Sequence, residues 1–364
     1  MDPRRTPRPD QPAGSDLGRP PIAVRIGDSG GIAAALPQLL GFRPRESVVL
    51  VGLSGARGGR VGLCVRADIP PAEHAAALAA VLTRSVRTGR PRTVLVAVVS
   101  EATGPPEDLP HRRLVGELVR ALTSAAIPVP EIMLVRGGRW WSYDCPQPCC
   151  SPGAGTPLPA GVTELEAAAV AAGTVVEDDR DALTARIAGP DGRAREAMAE
   201  VCTAVAAECS REVLDTGWDA VAAESWAAVT AAVGLCRPGA GRRLGDREIA
   251  RVVCGLRDAE VRDRALELAL GSDAPAAEQL WTECTRRAPA PLDAAPATLL
   301  AVSAWLRGDG AMANVALGRA LAAEPGYSLA LLLSQALGAC LPPDELRALL
   351  HATTVRPGPR SPAG

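Results

Sequence analysis

In the first third of the chain, short apolar runs with the strand period alternate with longer runs of helical character. SVVLVGL (47–53) and RVGLCVRAD (60–68) are strand-like, and the Gly-rich SGARGG between them predicts a hairpin. TVLVAVVS (93–100) is almost unbroken apolar sequence, the pattern of a central strand covered on both faces. EIMLVR (131–136) predicts another strand, after which Gly137-Gly138 turns the chain into RWWSY, an antiparallel partner. IAVRI (22–26) is one further short β-type run. Between them lie helix signals at GIAAALPQLLGF (31–42) and at PPAEHAAALAAVLTRSVRTG (70–89), which starts with Pro and ends with Gly. A helix at about 107–126 completes a crossover between the strands on either side of it.

After Pro159 strand signals nearly vanish. Apolar residues recur at helical spacing through 163–172, 179–188, 191–211, 217–235, 245–270, 275–287, 294–307, 311–323, 327–338 and 343–351, with Gly, Pro and Asp at the breaks. The predicted fold class is therefore an α/β N-terminal domain, a mixed sheet with flanking helices over 21–145, followed by an all-α helical C-terminal domain over 163–351. A Cys/Pro/Gly-rich connector spans 146–162, and tails at 1–20 and 352–364 have disordered composition. Placing Pro325 at the closing proline of a tetratricopeptide repeat puts Leu300, Ala301, Ala313, Leu317 and Ala320 on its small and apolar positions. A tetratricopeptide-like end and a generic helical bundle are both compatible with that pattern.

Composition narrows the functional classes. The chain has 364 residues, 47% of them hydrophobic, enough for two cores. A net charge of −2 gives no basic field, so neither nucleic acid nor a membrane surface is an expected partner. All 39 basic residues are Arg, and Asn314 and Phe42 are the only Asn and Phe, which points to a GC-rich genome. The N-terminus has no apolar h-region, and AAPATLLAVSAWL (294–306) is too short to span a bilayer, so a cytoplasmic location is expected. Ten scattered Cys then read as thiols and small hydrophobes and not as a disulfide frame.

Four motifs carry possible chemistry. GDSGG (27–31) satisfies G-x-S-x-G, but the histidines, His74, His111 and His351, are poorly placed for a triad with Ser29, and helix capping by Asp28 or Ser29 explains the motif as well. GLSGARGGR (52–60) has the glycines of a phosphate loop without its Lys and Ser/Thr, and a hairpin accounts for them. In GFRPRES (41–47), Arg43 and Arg45 could clamp a carboxylate or phosphate, or make surface ion pairs. RWWSYDCPQPCCSPGAGTPLP (139–159) holds Trp140, Trp141, Tyr143 and the C-x3-C-C set Cys145, Cys149 and Cys150. Three readings of it stay open: a rigid joint, a zinc site needing a fourth ligand, and a redox thiol pair.

LLGFRPRESVVLVGL (39–53), GRWWSYDCPQPCCSPGAGTPLP (138–159) and AWLRGDGAMANVALGRALAAEPGYSLALLL (304–333) resemble, in order, the actinobacterial domain-of-unknown-function family 4192. The resemblance spans about 22–350. It implies a cytoplasmic actinobacterial protein with no established activity and no catalytic roles to carry over. The family's recurrent features fall on Leu40, Gly41, Phe42, Ser47, Gly138, Arg139, Trp140, Cys145, Cys149, Cys150, Gly155, Thr156 and Pro157, and in the helical part on Trp305, Gly308, Asp309, Gly310 and Asn314.

These observations favour a non-catalytic module that binds a protein or a small molecule. The alternative is a metal- or thiol-dependent enzyme built on Cys145, Cys149 and Cys150. A crevice where Arg43 and Arg45 meet Arg139, Trp140 and Tyr143 is the expected ligand position, and the connector is expected to hold the two domains together.

Overall fold

The computed structural model describes residues 29–55, 60–105, 107–160, 167 and 176–354. The run at 22–26, nearly all of the helix expected at 163–172 and the chain ends fall outside these residues. The N-terminal half is a six-stranded sheet in the order β2-β1-β3-β4-β5-β6. Its strands are β1 (Ser47–Ser54), β2 (Arg60–Asp68), β3 (Thr93–Val99), β4 (Ile132–Arg136), β5 (Arg139–Ser142) and β6 (Thr156–Pro157). Three helices flank it: α1 (Ser29–Leu40), α2 (Ala75–Thr88) and α3 (Arg112–Ser124). The β3-α3-β4 crossover makes the one parallel pair, and the other neighbours are antiparallel.

Strand periodicity explains how two layers of helix are held. Val48 and Leu50 of β1 and Val94, Val96 and Val98 of β3 point to the face covered by α2 and α3, where Leu82, Val86, Leu118 and Leu122 are buried. Val49 and Val51, with Leu95 and Ala97, point to the opposite face, under Ala33 and Leu36 of α1. The apolar run at 93–99 is thus a central strand covered on both sides, as its composition predicts. The sheet also continues beyond residue 145: Thr156 and Pro157 pair with Trp140 and Arg139, so part of the connector is a strand.

The second half is helical: α4 (Arg180–Ala185), α5 (Gly192–Thr216), α6 (Trp218–Leu235), α7 (Asp246–Gly255), α8 (Ala259–Glu267), α9 (Ala274–Arg287), α10 (Ala294–Leu306), α11 (Gly310–Ala323), α12 (Ser328–Gly338) and α13 (Pro343–Thr354). The single helix expected over 245–270 is broken. Asp258 accepts hydrogen bonds from the N–H groups of Glu260 and Val261 and so starts α8 afresh. All thirteen residues of α10 are buried, as an all-round apolar helix requires. The five residues placed on tetratricopeptide positions are buried where α10 meets α11. Close antiparallel packing needs small residues there in any bundle, so one such hairpin does not make a repeat. None of the described helices is long and apolar enough to cross a membrane.

Phe42 joins the halves. It leaves α1 and lies 5% exposed in the core of the helical half. Leu40 touches both that core and the α1 face of the sheet. On either side of the ring the backbone forms a parallel bridge with Glu177: Arg43 N donates to Glu177 O (2.9 Å), and Glu177 N donates to Gly41 O (3.0 Å). Gly41 has φ +78°, and a Cβ there would lie 3.7 Å from Asp309 Oδ1, the cap of α11. Thr88 Oγ1 adds a bond to Cys340 O (3.1 Å).

Phe42→Ala is expected to cost about 3–5 kcal/mol in chemical denaturation, since the cavity opens in a core the loop cannot refill. Circular dichroism should then show the sheet and helical halves unfolding at different denaturant concentrations.

Candidate metal centre

The segment after β5 is moulded on Trp141. This ring is buried on the α3 face, while Trp140 packs on the α1 face, as alternation along a strand requires. Trp141 Nε1 donates to Ser151 O (3.0 Å). Gly155, at φ +73°, passes so close that a Cβ would sit 2.4 Å from the ring. Arg136 lies over the same ring, 4.8 Å from its centroid, and donates to Pro152 O. Arg139 donates to the carbonyls of Ala154 (3.0 Å) and Gly155 (2.6 Å). Two arginines and one indole thus satisfy the loop's carbonyls, and Pro148, Pro152 and Pro157 limit the freedom lost on ordering it.

That geometry brings the three cysteines together. The Sγ atoms of Cys145, Cys149 and Cys150 all lie within 4.8 Å of one another, and Cys149 Sγ is 3.9 Å from Cys150 Sγ. Zinc–thiolate bonds of about 2.3 Å at tetrahedral angles place two sulfurs about 3.8 Å apart, so the cluster has the spacing of a ligand set. A short 3₁₀ turn, Pro148–Cys150, sets Cys149 and Cys150 in place. The N–H of Gln147 points at Cys145 sulfur and, with hydrogen bonds from the two neighbouring thiols, pulls its pKa below the ordinary thiol value. Cys150 goes the other way: burial pushes it up to about 11, against the N–H of Ser142, 3.3 Å from its sulfur. The cluster therefore pairs a thiol that gives up its proton earlier than usual with one that gives it up late.

The other predicted site residues are not gathered here. Tyr143 is buried, its hydroxyl donating to Pro110 O (2.7 Å), and Arg112 holds its carbonyl. Arg43 faces Asp178 of the helical half at 3.9 Å, and the Arg45 carbonyl accepts from Ser47 Oγ. The expected crevice between Arg43, Arg45 and the Arg139–Cys150 segment is not formed, because β3 and β4 stand between β1 and β5. Three strand spacings amount to about 14 Å. Arg139 holds the carbonyls of the cysteine loop, whereas Trp140 packs under α1 and Tyr143 is anchored to Pro110.

Ser29 has no base. Its hydroxyl donates to Glu131 Oε2 (2.9 Å), and Ser142 donates to the other oxygen of the same carboxylate (2.6 Å). A cluster that sequence reasoning missed lies at the end of β3. Buried Ser100 donates to Glu46 Oε2 (2.8 Å), accepts from Ala102 N (3.1 Å) and has His111 Nε2 at 2.9 Å. With its single proton spent on the carboxylate, Ser100 accepts from His111, so serine stands between acid and imidazole. A hydrolytic triad needs histidine in the middle, and this set ties the β1 and α3 ends together instead. Glu46 (φ 38°) and His111 (φ 60°) both take left-handed backbone to reach it. No spacing in the sequence signals these three positions, because they meet only when β1 and β3 pair.

A mixed sheet with a three-cysteine loop, docked on a helical bundle around Phe42, defines the architecture. The family described as a domain of unknown function, DUF4192, matches residues 30–344, and the chain belongs to it. No curated protein and no solved structure matches the chain significantly. Two of the three segments that carry the family's recurrent residues meet in space, Leu40–Phe42 against the Gly308–Gly310 turn, which accounts for them as docking elements. The third is the cysteine loop.

Alkylation should separate the thiols. Cys145 is expected to react with iodoacetamide at a lower pH than an ordinary cysteine, and Cys150 only as pH approaches about 11, as read by peptide mass spectrometry across a pH series. Gly155→Ala should lower the melting temperature and alter Trp fluorescence, since the new methyl collides with Trp141; the combined overlap and backbone strain costs about 1–3 kcal/mol.

Proposed function

We propose that the protein is a non-catalytic cytoplasmic binding module whose sheet half holds a thiophilic metal ion, zinc foremost, on Cys145, Cys149 and Cys150. The convergence of the three sulfurs carries this reading. Thiolates select soft or borderline cations, and the Gln147 and Ser142 N–H groups offset the charge that such a site accumulates. All ten cysteines are free thiols, in keeping with a reducing compartment. The net charge of −2 supports a protein or small-molecule partner over nucleic acid or a membrane surface.

Thiol chemistry is the second reading, favoured by the opposite pKa shifts of Cys145 and Cys150. Metal quantitation separates the two. Protein purified in thiol-free buffer is expected to carry about one equivalent of zinc, and Cys149→Ser to weaken its retention at least about tenfold. Zinc affinity should fall as pH is lowered, because protons compete for the thiolates. Metal-free protein that forms a Cys145–Cys150 disulfide under mild oxidant would establish the second reading instead.

A further inference from the structure

We infer that the fourth coordination position of this metal centre belongs to a small-molecule thiol from outside the chain; the inference rests on the three-thiolate reading above. Every Cys and every His of the chain lies among the described residues, and none of the other seven Cys or three His joins the cluster. No described carboxylate joins it either. Tetrahedral zinc with three protein ligands keeps its fourth position for an exchangeable group. Cys149 is exposed, so that position is open to solvent.

The sulfur donor set selects the class of ligand. Three thiolates on a divalent ion leave a net charge of −1, beside Asp144 and near Glu131, which Ser29 and Ser142 hold in place. A carboxylate and a bound thiolate add the same charge, so the difference lies in the donor: a carboxylate oxygen is hard and matches three thiolates poorly. A thiol arrives neutral, matches the soft sulfur set better than imidazole does, and releases its proton only as the bond forms. In that step the thiol sulfur forms the bond to the metal, a bound water leaves, and the S–H proton goes to solvent. No atom changes oxidation state.

Space for the organic part lies alongside. A groove of about 570 Å³ runs along α3 from Asp144, the residue before Cys145, with Val115, Val119 and Ile132 on its floor and Arg112 at its rim. That volume suits a ligand of metabolite size. Gly116 also lines it, and a Cβ there would meet nothing within 4 Å, so a large side chain at this position fills the groove without disturbing the fold.

The experiment uses the full chain reconstituted with Co(II) and titrated with 2-mercaptoethanol, imidazole and acetate, read by absorption. The thiol is expected to raise the sulfur-to-cobalt charge-transfer band by about a third, as three thiolates become four. Imidazole and acetate should leave that band unchanged at concentrations where the thiol saturates. Gly116→Phe should weaken affinity for a larger thiol, reduced glutathione, about tenfold while leaving cobalt affinity as it was. A spectrum that no thiol alters would overturn the inference, since the chain would then be closing its own site. So would half an equivalent of cobalt on a dimer, with a second copy supplying the fourth sulfur, or stronger binding of imidazole than of thiol. An unchanged glutathione affinity in Gly116→Phe removes the groove from the site. Failure to bind cobalt at all marks a different fault, that of the three-thiolate reading itself.

Discussion

Everything in the arrangement of this protein turns on the burial of one aromatic side chain. Phe42 is the only phenylalanine in the chain, and it is spent on joining the two halves. Its ring carries a large apolar area into the helical core, and the parallel bridge to Glu177 satisfies the backbone groups that such an entry would otherwise strand. Arg66 completes the seat: its guanidinium lies 5.7 Å from the ring centroid while it donates to Ser47 Oγ. The loop therefore links the first residues of β1 to a core made of helices far along the chain.

A second aromatic plays the same part for the cysteines. Loops rich in Pro and Gly do not hold three thiols in register by themselves, because their own backbone groups seek water. Here Trp141 supplies a floor, Arg136 and Arg139 supply donors for the carbonyls, and Gly155 allows the close pass. Arginine suits this work better than lysine would, since a planar guanidinium can stack on an indole and donate at its edge together. The Arg-only composition thus reaches the structure as stacked pairs, at Phe42, Tyr143, Trp141 and Trp226.

The polar groups of the sheet half divide by the same logic. Ser100, Glu46 and His111 form a hydrogen-bond set among themselves and the backbone. Such a set ties the start of β1, the end of β3 and the start of α3 together. The cysteine loop differs in kind, because its sulfurs face one another with only weak partners between them.

Local patterning determined most of the architecture. The period-two runs at 47–53, 60–68 and 93–100 became strands, the helical runs after 179 became helices, and the turn at Gly137-Gly138 folded β5 back on β4, because each depends on neighbours a few residues away. The three cysteines were legible for the same reason, lying within six positions of one another. Tertiary structure alone decided the rest. It broke the 245–270 run at Asp258, it separated Arg43 and Arg45 from Arg139 by two strands, and it set Ser100 between Glu46 and His111. It also carried Phe42 from the end of α1 into the helical core. Strand order and docking depend on which apolar faces meet across long stretches of chain, and no local spacing encodes that choice.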